Sequence, residues 1–204
     1  MKAVFSDLDG TILDFYTYSY ENALEGINIL KEQNIHLIPI SSKTLPEMKQ
    51  IIKELQLSCP FAFENGGGIA FPKHGNKPAF DYRIEIVGLG IAELEEKLDM
   101  FREIIRSPIS TLFEMDIEEI VEKTKLPHKS IMLIKKRESS IPFITSDPDT
   151  FINLDETNIV LEKHDLKITK GGRFYHLSSK NTGKGNAVNK IIDYLKKTYN
   201  VDNI

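Results

Sequence analysis

One cysteine, Cys59, is all the thiol chemistry the sequence offers. An internal disulfide is thereby excluded, and a reducing cytoplasm is the compartment that suits such a chain. Beside Pro60 the thiol reads as a small buried apolar residue rather than a nucleophile. A basic excess is missing too. Over 204 residues the formal net charge is −4, which argues against a phosphate backbone, and so a nucleic acid, as partner. No apolar run approaches the roughly 20 residues that cross a bilayer. No basic segment leads into a long apolar stretch at the N-terminus, so neither a signal peptide nor a membrane is expected. Internal repeats and low-complexity segments are also lacking. What is there, with 41% hydrophobic residues, suffices for one good core or a core and a smaller domain.

Residues 2–6 read as a short buried strand ended by an acidic turn. After a loop rich in Tyr and Thr, residues 20–33 carry Ala23, Leu24, Ile27, Ile29 and Leu30 at helical spacing. Residues 35–40 form a second apolar strand. Thr44 or Ser42 can then cap a helix over 45–57, with Pro46 tolerated in its first turn. A third strand, 61–63, precedes Asn65-Gly66-Gly67-Gly68, a turn into a hairpin strand over 69–71. This alternation predicts a parallel sheet with covering helices, whose strands end on one edge. Asp7, Asp9 and Ser41 stand at such ends, and the chemistry is expected there.

From residue 81 the pattern changes. A strand at 84–86 and an amphipathic helix over 92–105 come first, then two shorter helices, 116–124 and 128–136, separated by Pro127. A strand at 141–145, a weak helix at 158–164 and a strand pair, 166–169 and 174–177, around Gly171-Gly172 complete an α+β module. A last helix covers 184–199, with Ala187, Val188, Ile191, Ile192 and Leu195 on its apolar face. The expected class is α/β, with a Rossmann-like parallel-sheet core. Its discontinuous core, residues 1–80 and 178–204, carries an inserted domain over 81–177.

The first strand ends in Asp7-Leu8-Asp9-Gly10-Thr11. Carboxylates at i and i+2 there point to one side. One can attack phosphorus while the other protonates the leaving oxygen and then activates water. Such carboxylates repel each other and a dianionic phosphate, which calls for a divalent cation, and magnesium suits carboxylate and phosphate oxygens. Asp7 and Asp9 would be its ligands. Gly10 permits a sharp turn, and the Gly10 and Thr11 amides are placed to face the phosphate. An ordinary acidic turn uses the same residue types. Further on, Lys170-Gly171-Gly172-Arg173 sets two cations around a turn, and Arg173 can grip a carboxylate with a bidentate fork; a solvated hairpin turn is the plainer alternative. Lys43 is a further candidate for the same cleft or a surface residue, and His176 reads as structural.

The string Asp7-Leu8-Asp9-Gly10-Thr11 resembles the first motif of the haloacid dehalogenase-like superfamily. The resemblance implies that Asp7 is the nucleophile and Asp9 the general acid/base. It also implies that Ser41 bonds the transferring phosphoryl group and that Lys184, in Lys184-Gly185-Asn186-Ala187, offsets the charge of nucleophile and phosphate. Ser41-Ser42-Lys43-Thr44, Phe63-Glu64-Asn65-Gly66 and Gly172-Arg173-Phe174-Tyr175-His176 are similar to the mannosyl-3-phosphoglycerate phosphatase branch, which has a cap domain in the inserted position. That branch implies a small phosphorylated sugar-acid as substrate, with Lys43, Lys170 and Arg173 on its side of the site, and a compatible solute as product.

The family pattern has a fourth motif, an acidic Gly-Asp-x-x-x-Asp loop beyond the last helix, whereas this sequence stops at Val201-Asp202-Asn203-Ile204. The expectation is a C-terminally truncated core with residues 2–6 as an exposed edge. A broader sugar-phosphate phosphatase, a phosphomutase and an inactive remnant stay open beside the glycosyl-phosphoglycerate reading. Oligomeric state is not legible.

Overall fold

A computed structural model describes residues 1–73, 81–126, 128–147 and 153–204. The chain forms two compact units. The first holds residues 1–43, 48–85 and 183–204, the second 44–47 and 86–182.

In the first unit, β1 (Ala3–Ser6) leads through a 3-10 turn into α1 (Leu24–Glu32) and back to β2 (His36–Pro39). β1 and β2 pair in parallel with Ala3 opposite His36 and Ser6 opposite Pro39. After α2 (Leu45–Glu54) comes β3 (Phe61–Phe63), joined to the end of β2 by a parallel bridge between Ile40 and Ala62. β4 (Gly68–Pro72) folds back antiparallel on β3, as the glycine-rich turn predicts, and β5 (Tyr82–Ile86) continues the order β3-β4-β5. The strand expected at 84–86 as the start of the insert thus belongs to this sheet, where Tyr82 meets the ring of Phe61 edge-on at 5.0 Å. Burial follows position in the sheet. β3 is buried throughout, whereas in β1 Val4 stays 39% exposed and no strand other than β2 pairs with it among the described residues.

The second unit is a four-stranded antiparallel sheet with helices. Its elements are α3 (Ile91–Glu96), α4 (Leu98–Ile105), β6 (Ile109–Thr111), α5 (Ile117–Thr124), α6 (His128–Ile134), β7 (Ser140–Thr145), α7 (Leu154–Leu161), β8 (Leu166–Lys170) and β9 (Tyr175–Ser179). The sheet order is β6-β7-β9-β8. Successive strand residues face opposite sides. Ile141, Phe143, Leu166, Ile168 and Leu177 accordingly share one buried cluster with Leu94, Phe101 and Leu161 of the helices. Ile144, one step from Phe143, packs instead on a second cluster from α5 and α6. α5 opens with a capping box: Asp116 accepts from the Glu119 amide at 2.8 Å while Glu119 accepts from the Asp116 amide. The helix expected over 92–105 is two helices meeting at Lys97. β6 is a strand the sequence did not announce. Pro127, expected to separate the helices over 116–124 and 128–136, lies outside the described residues. The side chain of Ser179, at the end of β9, lies against Gly88, just after β5.

The chain then returns to the first unit with α8 (Lys184–Tyr199), which buries Ala187, Ile191 and Leu195. The ring of Tyr194 meets Phe71 of β4 at 4.7 Å. The architecture is α/β: a partly parallel sheet with an α+β module inserted between β5 and α8. Among the described residues no helix is long and apolar enough to cross a membrane.

Candidate active site

Where β1 ends, the chain closes a tight loop. The Leu8 carbonyl accepts the amides of Thr11, Ile12 and Leu13 at 2.8–3.1 Å, and the Leu13 carbonyl accepts the Gly10 amide at 2.8 Å. Leu8, Ile12 and Leu13 are buried, so the loop is anchored from beneath by its apolar side chains. Gly10 supplies the turn with φ 72°. The amides of Gly10 and Thr11 therefore differ from expectation: they close the loop on its own carbonyls instead of facing outward. A chain that turns so tightly around the Leu8 carbonyl leaves those donors no other direction.

The two carboxylates ride on this loop. Asp7 Oδ1 accepts from the Leu8 amide at 2.8 Å, and Asp7 Oδ2 accepts from Lys184 Nζ at 2.5 Å. Lys43 Nζ stands 2.8 Å from Asp9 Oδ1. That contact is ionic, for the approach lies outside hydrogen-bond geometry and the buried Asp9 Oδ1 makes no hydrogen bond. The two ion pairs differ in setting. Lys43 is only 11% exposed, whereas Lys184 and Asp7 are each near two-fifths exposed and open to screening.

Two further placements follow from the sheet. The Ile40 amide donates to the Ser6 carbonyl at 2.8 Å, which sets Ser41 beside Asp7 at neighbouring strand ends. Ser41 is fully buried, its amide donates to the Ala62 carbonyl, and its Oγ accepts from the Lys43 amide at 3.3 Å. The turn after β3 holds the same segment from the other side. The Glu64 amide donates to the Lys43 carbonyl at 2.9 Å and the Asn65 amide to the Ser41 carbonyl at 2.8 Å.

Lys184 opens α8, and what fixes that helix end is Gly66. At φ 86°, a Cβ on Gly66 would overlap the Gly183 carbonyl and touch the Ala187 side chain. Close approach of this turn to α8 thus depends on a missing side chain, and it delivers the Lys184 ammonium to Asp7.

Asp7, Asp9, Ser41, Lys43 and Lys184 all lie in the first unit, at the carboxyl edge of the sheet. Lys170 and Arg173 lie in the second, on the β8–β9 hairpin, where Lys170 Nζ sits 6.0 Å over the Tyr175 ring. Lys43, foreseen on the substrate side of the site, has its ammonium on the Asp9 carboxylate. Tyr18 was not foreseen at all. Its ring carries the Lys43 ammonium at 4.9 Å, and a loop rich in Tyr and Thr gave no periodic signal that could single it out.

Among the described residues no three His, Cys, Asp or Glu side chains gather as a metal cage. Magnesium does not need one, since it is commonly held by one or two carboxylates together with substrate phosphates and water. Two aspartates two residues apart, with hard carboxylate oxygens, fit that mode.

A family model described as haloacid dehalogenase-like hydrolase matches residues 4–201. The chain belongs to the haloacid dehalogenase-like hydrolases. It is therefore an enzyme, and its curated relatives are phosphatases by name. A glucosyl-3-phosphoglycerate/mannosyl-3-phosphoglycerate phosphatase of Persephonella marina is 36% identical over 202 residues, which cover 96% of this chain and 73% of the relative. One of the same name from Methanococcoides burtonii is 31% identical over 204 residues, covering 96% and 74%. Among solved structures, a sugar phosphatase of subclass IIB of the haloacid dehalogenase superfamily shares the fold, with TM-score 0.59 and 15% identity over 96% of this chain and 76% of that one. This hydrolase thus has the α/β class and an inserted α+β module, as the resemblance to that phosphatase branch implied.

Proposed function

We propose that this hydrolase is a magnesium-dependent phosphomonoesterase working through an aspartyl-phosphate. The observation that carries the reading is the pair Asp7 and Asp9, two residues apart on a rigid loop, each with a lysine ammonium on its carboxylate. Asp7 attacks phosphorus and forms an acyl-phosphate bond as the P–O bond to the alcohol breaks. Asp9 in its acid form gives a proton to the leaving oxygen and is left as a carboxylate. A water then attacks the same phosphorus while Asp9 takes its proton, the acyl-phosphate bond breaks, and Asp7 is regenerated with release of phosphate. Lys184 keeps the nucleophile oriented and offsets the charge that gathers on the phosphoryl oxygens, and the Ser41 hydroxyl would hydrogen-bond those oxygens. Magnesium on the Asp7 and Asp9 carboxylates would supply charge neutralisation at those same oxygens.

The substrate we assign is a glycosyl-3-phosphoglycerate, after the names of the relatives at 36% and 31% identity. Such a molecule carries a carboxylate beside its phosphate. The second unit would serve as the cap domain, with Lys170 and Arg173 taking the carboxylate, in a cytoplasmic enzyme. The test uses glucosyl-3-phosphoglycerate and magnesium. Wild type should release phosphate and stop doing so with a chelator. Asp9→Asn, given p-nitrophenyl phosphate, whose leaving group needs no proton, should accumulate a phosphoryl group on the peptide that contains Asp7, located by mass spectrometry. No metal-dependent phosphate release and no adduct would overturn the reading.

A further inference from the structure

The loop that follows the catalytic turn exposes aromatic surface in a fixed conformation. Tyr16 is 83% exposed and Phe15 45%, and their rings meet edge to face at 5.3 Å. Large aromatic side chains contribute much of the binding energy where they are used, and the backbone under this pair is pinned by hydrogen bonds. What holds this one still is Asp14. One of its carboxylate oxygens accepts from the Tyr16 amide at 3.0 Å, the Thr17 amide at 2.8 Å and the Thr17 hydroxyl at 2.9 Å. The Asp14 amide in turn donates to the Ser19 carbonyl, and the Tyr18 amide to the Asp14 carbonyl, so the loop is bonded across its own neck.

The same loop is tied to the reacting groups at two points. Phe15 lies beside Gly10, where a Cβ would stand 3.8 Å from its ring. Tyr18 receives the Lys43 ammonium, which also pairs with Asp9. An aromatic pair beside a phosphoryl-transfer site has an evident occupant: the portion of the substrate next to the phosphate that is neither charged nor flat. A hexose ring is such a group, with an apolar C–H face that lies on an aromatic ring and hydroxyls that stay in water. We propose that Phe15 and Tyr16 form a platform on which the glycosyl ring of the substrate stacks. This rests on the glycosyl-phosphoglycerate reading above and assigns the sugar's place within it.

Two ligands that differ only in the sugar test it: glucosyl-3-phosphoglycerate and 3-phosphoglycerate. Each is titrated with magnesium present into protein carrying Asp7→Asn, which cannot turn them over, with position 16 varied or kept wild type in that background. Tyr16→Ala, at an exposed position, should fold as wild type. It should weaken glucosyl-3-phosphoglycerate about tenfold and leave 3-phosphoglycerate unchanged. Tyr16→Trp should keep wild-type affinity. Because the chain has no tryptophan, its indole would be the only one present. Its emission should shift with the glycosylated ligand alone. Equal effects of Tyr16→Ala on both ligands, or on neither, would overturn the platform while the phosphatase reading stood. A wild type that binds both ligands equally well would also overturn it and leave a broader phosphatase. A wild type that binds neither would overturn both.

Discussion

Asp7 and Asp9 stand on one loop, yet their surroundings prepare them for different steps. Asp7 is open and hydrogen-bonded at both oxygens, by the Leu8 amide and by Lys184, so its lone pairs have a fixed direction. Asp7→Asn should abolish turnover without unfolding the protein, because an amide is no nucleophile here. A few per cent of wild-type rate, measured at saturating substrate, would remove Asp7 from that role. Asp9→Asn should slow turnover by ~10²–10⁴. The loss should be larger for an alkyl phosphate than for p-nitrophenyl phosphate, whose leaving group needs no proton. Arg173→Ala should weaken a substrate with a carboxylate by ~1.5–3 kcal/mol and leave phenyl phosphate nearly unaffected, since only the first loses a charge-assisted pair. At this scale the sequence was legible wherever spacing alone fixes geometry, as with two aspartates at the end of a strand. It was not legible where a partner arrives from far along the chain. Nothing near Lys43 in sequence announces that its ammonium rests between Asp9 and the Tyr18 ring.

Elements set the site by approaching one another closely, and the turn after β3 is the tightest case. Gly66→Ala should push α8 away from that turn, because the new methyl would occupy the space of the Gly183 carbonyl at a backbone angle unsuited to alanine. The Lys184 ammonium would leave Asp7. We expect a loss of stability of about 1–3 kcal/mol and a fall in turnover larger than the rise in KM. Unchanged melting and unchanged turnover would show that α8 is seated by other contacts. Most strands and helices followed from hydrophobic periodicity, including β1, β2, β3 and α8. Two departures have plain causes. Ile91, Leu94, Leu98, Phe101 and Ile105 keep one helical period through Lys97, because α3 and α4 pack on the same cluster, so the break between them left no trace in the pattern. β6 has only three residues, and its strand character comes from pairing with β7 rather than from its own sequence.

For the molecule as a whole, acid is the informative perturbation. His176 is buried on β9, its Nδ1 makes no hydrogen bond, and burial, with the nearby Arg137 charge, pushes its pKa from 6.5 down to about 3. The folded protein thus keeps this imidazole neutral while the unfolded chain protonates it below about pH 6.5. The unfolded state then binds more protons, and stability falls as pH drops from about 6.5 towards 3, by at most about 1.4 kcal/mol per pH unit from this group. His176→Leu should remove that share of the slope. Thermal melts from pH 7 to pH 5 should bring variant and wild type closer together, or reverse their order, as pH falls. A constant difference in melting temperature would mean that His176 is protonated alike in both states.

Ser179 resting against Gly88 means that the long segment of the second unit, residues 86–182, begins and ends at nearly one point. Such a module is topologically a cartridge. Bringing its ends together adds almost no closure entropy to the rest of the fold, whatever its length or content. Its sequence is then free to diverge, lengthen or be exchanged between lineages without re-registering the aspartate loop. The share of recognition assigned above to Lys170 and Arg173 is in that sense heritable apart from the aspartate loop, whereas the share assigned to Phe15 and Tyr16 travels with it.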